Sequence, residues 1–165
     1  MIQHIPLEKI LFLDIETVPQ AGNWEELHET DQYLWDKKTR MQRKEDVTSQ
    51  EFYNERGGIM AEFGKIICIS VGILEKSEKL MIKSFSGDDE RKLLEEFGEI
   101  FNHPKLHDVI LCAHNGKEFD FPWIARRFLI NGMQPPKPFQ LFGKKPWEIP
   151  HLDTMELWKF GDYKS

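Results

Sequence analysis

Ile10-Leu11-Phe12-Leu13-Asp14-Ile15-Glu16-Thr17 is the stretch on which the fold and the chemistry of this chain turn. An apolar run ends there in two carboxylates one residue apart. On an extended strand, residues two apart point to the same face. Asp14 and Glu16 therefore project side by side, with Phe12 on their face and Leu11, Leu13 and Ile15 on the other. Apolar side chains on both faces predict a central strand covered on both sides. Two carboxylates at the carboxyl end of such a strand repel each other and are costly to desolvate. A hard divalent cation, which prefers oxygen ligands, offsets that cost. An isolated D-x-E also has a plainer account, in which the strand runs out into solvent and the acids belong to a turn before Pro19. The rest of the chain weighs between the two.

Composition sets the bounds. The chain has 165 residues, 40% of them hydrophobic, with twelve Phe, which is enough for one domain with a real core. Its formal net charge of −6 excludes nucleic-acid binding through bulk charge. Cys68 and Cys112 sit in apolar runs and read as buried free thiols, a disulfide between them being the alternative. Ile10–Leu13 is far too short for a signal peptide's apolar region, and no run approaches the length of a membrane span. A cytoplasmic protein with no membrane partner is expected. The oligomeric state is not legible.

Taken in order, the chain opens with a lead-in, residues 1–8, and a strand over about Ile10–Ile15. Residues 20–62 form a polar insertion, expected to be partly mobile, in which Trp24, Leu27, Tyr33, Leu34 and Trp35 suggest short amphipathic helices. Its most basic part runs from Lys37 to Lys44. That part is expected to contact a polyanion's backbone, and it has an equal claim to be a solvated helix face. Gly57-Gly58 breaks the stretch. Lys65–Leu74 reads as a strand with a possible bulge at Gly72. The Glu75–Lys79 link then makes a hairpin with a half-buried strand over Leu80–Phe85. Ser86-Gly87-Asp88-Asp89 caps a helix running to about Asn102, with Leu93, Leu94, Phe97, Ile100 and Phe101 on one stripe. Val109–Ala113 is a short apolar strand of the buried parallel kind. A helix over about Phe121–Ile130 buries Phe121, Ile124, Ala125, Phe128 and Leu129, and Asn131-Gly132 closes it. A Pro/Lys-rich loop follows over Gln134–Pro150. His151–Thr154 starts a last strand or turn, and Met155–Phe160 looks amphipathic. This order predicts an α/β fold: a mixed sheet with helical crossovers and helices on both faces.

The strand at Val109–Ala113 runs straight into Asn115-Gly116-Lys117-Glu118-Phe119-Asp120. Asp120, just before Phe121-Pro122, reads first as a helix N-cap. It also stands at the carboxyl edge of a strand expected beside the first, where open α/β sheets place their ligand sites. Asp14-Ile15-Glu16-Thr17 resembles the first motif (D-x-E-T) of the DnaQ-like, or DEDD, 3′–5′ exonucleases. Asn115-Gly116-Lys117-Glu118-Phe119-Asp120 resembles their second motif (N-x-x-x-F-D). The chain looks most like the proofreading exonuclease domain of family B DNA polymerases and its stand-alone bacterial relatives, over Leu11 to about Phe160.

The resemblance implies a ribonuclease H-like fold with a mixed five-stranded sheet. It implies Asp14, Glu16 and Asp120 as catalytic, metal-holding carboxylates and two divalent cations, Mg or Mn, as cofactors. It implies Ile15, Thr17, Asn115 and Phe119 as contacts to the terminal nucleotide, although a lone Phe is more often core. The partner implied is a single-stranded nucleic acid 3′ end, DNA favoured over RNA, cut to nucleoside 5′-monophosphates. The family's third motif, Tyr or His followed three residues later by Asp, does not occur. Trp158-Lys159-Phe160-Gly161-Asp162 has the spacing with the wrong first residue. Asp153 falls at the fifth strand and reads as structural. Residues 1–165 are thus expected to be one exonuclease-like domain cut short before that motif, weakly active or inactive alone. The alternatives are a non-catalytic ribonuclease H-like binding or scaffold module and an exoribonuclease.

Overall fold

The structure, a computed structural model, describes residues 4–75 and 79–162. Residues 76–78 of the expected hairpin link lie outside the described residues, as do the ends of the expected 1–165 domain. The chain divides into two units, Met1–Glu16 with Ile67–Ser165, and Thr17–Ile66.

The first unit is built on the sheet, whose residues 17–19 and 64–66 are counted with the second. β-branched and apolar runs form β1 (Ile10–Pro19), β2 (Gly64–Leu74), β3 (Leu80–Ser86), β4 (Ile110–Ala113) and β5 (Leu152–Asp153), in the order β3-β2-β1-β4-β5. β2 and β3 pair antiparallel, from Cys68 opposite Ser86 to Leu74 opposite Leu80. β1 and β4 run parallel with Leu11 beside Leu111 and Phe12 beside Cys112. β4 and β5 are also parallel, with Ala113 beside Asp153. Parallel neighbours need a crossover; α3 (Glu90–Glu99) precedes β4 and α4 (Asp120–Ile130) joins β4 to β5. This is the mixed α/β sheet that the element order predicts, with the five strands that the resemblance implies.

β1 departs from expectation in one respect. Leu11, Leu13 and Ile15 are buried, but Phe12 is 40% exposed and Asp14 and Glu16 are exposed. Ile10, at the start of that same face, is buried, so from Phe12 to Glu16 the strand is covered on one face only. β3 is the outer strand, and of its side chains only Phe85 is buried, so its alternation does not mark a half-buried face. Gly72 pairs with Ile82 in unbroken register and makes no bulge.

The core of this unit is aromatic. Phe97 stands among Phe85, Phe101, Phe128 and Phe139, with ring centroids 5.3 to 6.4 Å away. Asp89 caps α3 by accepting from Lys92 N at 3.1 Å. The α4 stripe is Phe121, Trp123, Ile124, Arg127 and Phe128. Leu129 is 65% exposed and Ala125 only half-buried, so the expected stripe was set too far round the helix. Arg127 takes the missing place because Glu90 neutralises it, with Nε to Oε1 at 2.8 Å and Nη2 to Oε2 at 2.5 Å. The final helix, α5 (Thr154–Lys159), buries none of its residues, contrary to the amphipathic expectation. Cys68 and Cys112 are free thiols, and burial pushes the Cys112 thiol up. No helix among the described residues is long and apolar enough to cross a membrane.

The second unit has its own core of Leu27, Trp35, Tyr53 and Phe63, flanked by Ala21, Trp24, Phe52 and Met60. Trp35 meets Tyr53 and Phe63 edge-on, with centroids 5.2 and 5.0 Å away. Its helices are α1 (Glu29–Thr39) and α2 (Ser49–Arg56). Thr48 and Glu51 form a capping box at the start of α2. Polar as this stretch is, it carries a packed core and a capped helix. Tyr33 and Leu34, expected to pack, are exposed. Part of the basic run is committed internally. Arg43 pairs with Asp36 at 2.6 Å, and Lys38 with Glu62 at 2.8 Å.

Candidate functional site

Three features bring the expected site residues to the carboxyl edge of β1 and β4. First, strand alternation leaves Asp14 and Glu16 exposed on one face while Ile15 points into the core. Second, pairing between β1 and β4 extends through Phe12 and Cys112. Beyond it the Ile15 N–H turns to the Asp120 carboxyl group, which also takes its own backbone N–H. Third, the β4–α4 turn is unusually tight. Asn115 has φ 58, a left-handed backbone that a residue with a Cβ adopts under strain. At Gly116 an added Cβ would lie 2.5 Å from Ala113 Cβ and 2.9 Å from the Phe121 ring. Only glycine fits there.

Asp120 is the first residue of α4; Phe119 holds the N-cap position and makes no side-chain cap bond. The capping role expected for Asp120 is therefore not what the residue does. Its carboxyl group is buried, 4% exposed, and pushed up to about 6, first by burial, then by the charges of Asp14 and Asp153. No basic side chain lies within ion-pair distance of it among the described residues.

Asn115 Oδ1 is buried without a hydrogen-bond partner. Phe119 is half-buried with its ring 6.1 Å from Trp123, a packing contact that leaves part of it open. Thr17 belongs to the second unit, where its hydroxyl donates to the Gly58 carbonyl at 2.6 Å. The Ile15 side chain is only 7% exposed, so its backbone is what it offers a ligand.

Among the described residues no group of three or more His, Cys, Asp or Glu side chains is placed to hold a metal ion. The structure couples Asp14 with Asp120 electrostatically and does not gather Glu16 with them into a closed cluster. The donor chemistry still suits a hard cation. Mg²⁺ is commonly held by one or two carboxylates, with water and phosphate oxygens completing its shell. A carboxyl pushed up first by burial and then by a second carboxylate marks a place where positive charge is wanted.

Sequence reading placed Asp153 at the fifth strand and did not find its partners. Asp153 is 3% exposed, and it accepts from Asn115 N at 2.9 Å, Lys117 N at 3.2 Å and Met155 N at 2.9 Å. His114 Nδ1 meets Thr154 Oγ1 at 3.0 Å, and Lys117 Nζ meets Glu156 at 2.7 Å. The Met155 bond is a local N-cap of α5, but residues 36 to 40 apart make the others, so no local pattern signals those. On α4, Arg127 is buried against Glu90 and unavailable to a nucleic-acid strand, whereas Arg126 is exposed.

Comparison with known proteins agrees on the fold. E. coli Exonuclease I in complex with a dT13 oligonucleotide is similar at TM-score 0.51 and 10% identity, over 92% of this chain and 29% of that one. The metal-free form of the E. coli ExoI-ssDNA complex matches at 0.50 and 11%, over 91% and 29%. The family B DNA polymerase of Pyrobaculum calidifontis matches at 0.41 and 16%, over 75% and 11%. The chain thus spans less than a third of the length of these structures. No curated protein matches. The family model of the RNase H superfamily matches residues 52–165, more than half of the chain, and the chain belongs to that superfamily.

Proposed function

We propose that this chain is a metal-dependent 3′–5′ exonuclease that releases nucleoside 5′-monophosphates from single-stranded DNA. The observation that carries the reading is the pair Asp14 and Asp120, electrostatically coupled at the carboxyl edge of two adjacent parallel strands. Asp14 and Asp120 would hold Mg²⁺ or Mn²⁺, with Glu16, on the same face as Asp14, as a further ligand. A bound cation supplies charge neutralisation at a phosphodiester and a more acidic water. The chain's own residues hold the substrate. Asn115 Oδ1, buried and unpartnered, accepts from a hydroxyl or amine of the terminal nucleotide. The open part of Phe119 offers a stacking surface. E. coli Exonuclease I was solved with a dT13 oligonucleotide, which supports a single-stranded DNA partner here.

One observation favours a second reading. The absence of a closed three-carboxylate group among the described residues suits a module that binds nucleic acid without cutting it. Following hydrolysis of a 3′-labelled single strand with Mn²⁺ decides between them. Slow release of nucleoside monophosphate by wild type and none by Asp14→Asn upholds the exonuclease. Binding without release in both supports the non-catalytic module.

A further inference from the structure

We infer that Asp153 is a positioning residue for the candidate site: its buried carboxylate is the template on which the His114–Lys117 turn folds, and the turn in turn presents Asn115 and Asp120. The inference rests on the reading of Asp14 and Asp120 as cation ligands. Its basis is geometric. Over residues 114–117, the first part of the turn between β4 and α4, every residue but Gly116 is bonded to the end of β5 or the start of α5. His114 bonds Thr154, Asn115 N and Lys117 N bond Asp153, and the Lys117 ammonium bonds Glu156. Gly116 contributes instead its carbonyl, which accepts from Phe121 N at 2.9 Å in the first turn of α4.

The two carboxylate oxygens divide the work. Oδ1 accepts from Asn115 N and from Met155 N, and Oδ2 from Lys117 N. Aiming the N–H groups of Asn115 and Lys117 at one acceptor group requires the chain between them to curl, and Asn115 supplies the curl by taking φ 58. Left-handed backbone at a residue other than glycine persists where the surroundings over-determine it. A charge-assisted acceptor 3% exposed provides that hold. Pairing of Ala113 with Asp153 fixes the template itself to the sheet. An amide cannot replace the carboxylate, because its Nδ2 would face the Lys117 N–H donor to donor. Partners that orient the direct ligands of a metal typically change its affinity by about 10- to 100-fold.

The test is a Mn²⁺ titration by electron paramagnetic resonance on residues 1–165, with amide hydrogen exchange on the same proteins. Asp153→Asn is expected to weaken Mn²⁺ about tenfold and to speed exchange at Asn115 and Lys117, while the β1 and β4 amides stay protected. Phe128→Leu, a core truncation on a later turn of α4, is expected to lower stability and keep wild-type Mn²⁺ affinity. Equal loss of affinity in both variants would reduce Asp153 to general stability and overturn the inference. Wild-type affinity in Asp153→Asn would overturn it too, and leave the cation reading intact. Equal binding by wild type and Asp14→Asn would instead overturn the cation reading, and amide exchange alone then decides the template. If Asp153→Asn does not fold, Asp153→Asn/Asn115→Gly is compared with Asn115→Gly, since glycine takes the left-handed turn without strain. A tenfold gap in that pair upholds the role, and no gap overturns it.

Discussion

The two ends of helix α4 bury acids in opposite ways. Toward its C-terminus, Arg127 is held bidentately by Glu90, and Asn131 Nδ2 adds a bond to the same carboxylate at 2.9 Å. At its N-terminus, Asp120 is equally buried, yet its neighbours are Asp14 and Asp153 rather than a cation. One end is complete within the chain; the other is left with charge that a ligand must answer. A buried ion pair is strongly destabilising to break from one side. An uncompensated acid costs stability that only binding recovers. The difference separates what holds the fold from what the fold holds ready.

The comparison can be broken first at the complete end. Glu90→Gln or Arg127→Met alone is expected to lower stability by about 3–5 kcal/mol in urea unfolding, because each strands a buried charge. Replacing both together with Leu and Met should recover most of that loss. A single-variant loss under about 1 kcal/mol would mean that the pair is not the anchor it is taken to be.

At the other end the sign reverses. With its carboxyl pushed up to about 6 from 3.8, folded Asp120 binds its proton more tightly than the unfolded chain does. Between those two values the native state carries more protons, so this group's contribution to stability falls as pH rises and levels off above about 6. Asp120→Asn should therefore stabilise the metal-free protein at pH 7 by up to about 3 kcal/mol, since each tenfold change in proton affinity is worth about 1.4 kcal/mol. The gain should vanish near pH 4. Buried His151, held down chiefly by desolvation, loses stability as pH falls and slopes the opposite way in both proteins. The difference between wild type and Asp120→Asn is therefore the quantity to follow. A variant less stable than wild type at pH 7 would contradict the assignment.

Cation binding sharpens the contrast further. Mn²⁺ at a hundred times its dissociation constant should stabilise wild type by about 2.7 kcal/mol. It should do little for Asp14→Asn and nothing extra at the Glu90 end. The smallest effect is expected at Arg126, exposed beside buried Arg127. Arg126→Gln should change stability by no more than about 0.5 kcal/mol. A larger loss would mean that the helix reads its neighbouring arginines alike.

How much of this was legible beforehand follows from where each signal resides. Strand alternation is local, so Asp14 and Glu16 on one face, and the β1–β4 adjacency implied by a helical crossover, could be read directly from the chain. Helix α3 and the end of α4 at Asn131 were marked by caps and breakers a few residues away. The stripe of α4 was misjudged because Arg127 looks like a surface residue until Glu90, 37 positions earlier, is known to face it. The packing of the second unit was not legible for a related reason. Its core draws Trp35, Tyr53 and Phe63 from separate segments, and no window of sequence holds them together.

The amino-acid order by itself determined the two acidic motifs, the strand that carries each, and the α/β class, because hydrophobic period and turn chemistry act over neighbouring residues. Only the tertiary structure decided that β1 is open on its acidic face, that Arg127 belongs to the core, and that Asp153 grips the turn before Asp120. Those facts depend on desolvation and on bonds between residues 36 to 40 apart, and such bonds form only after the chain has closed on itself.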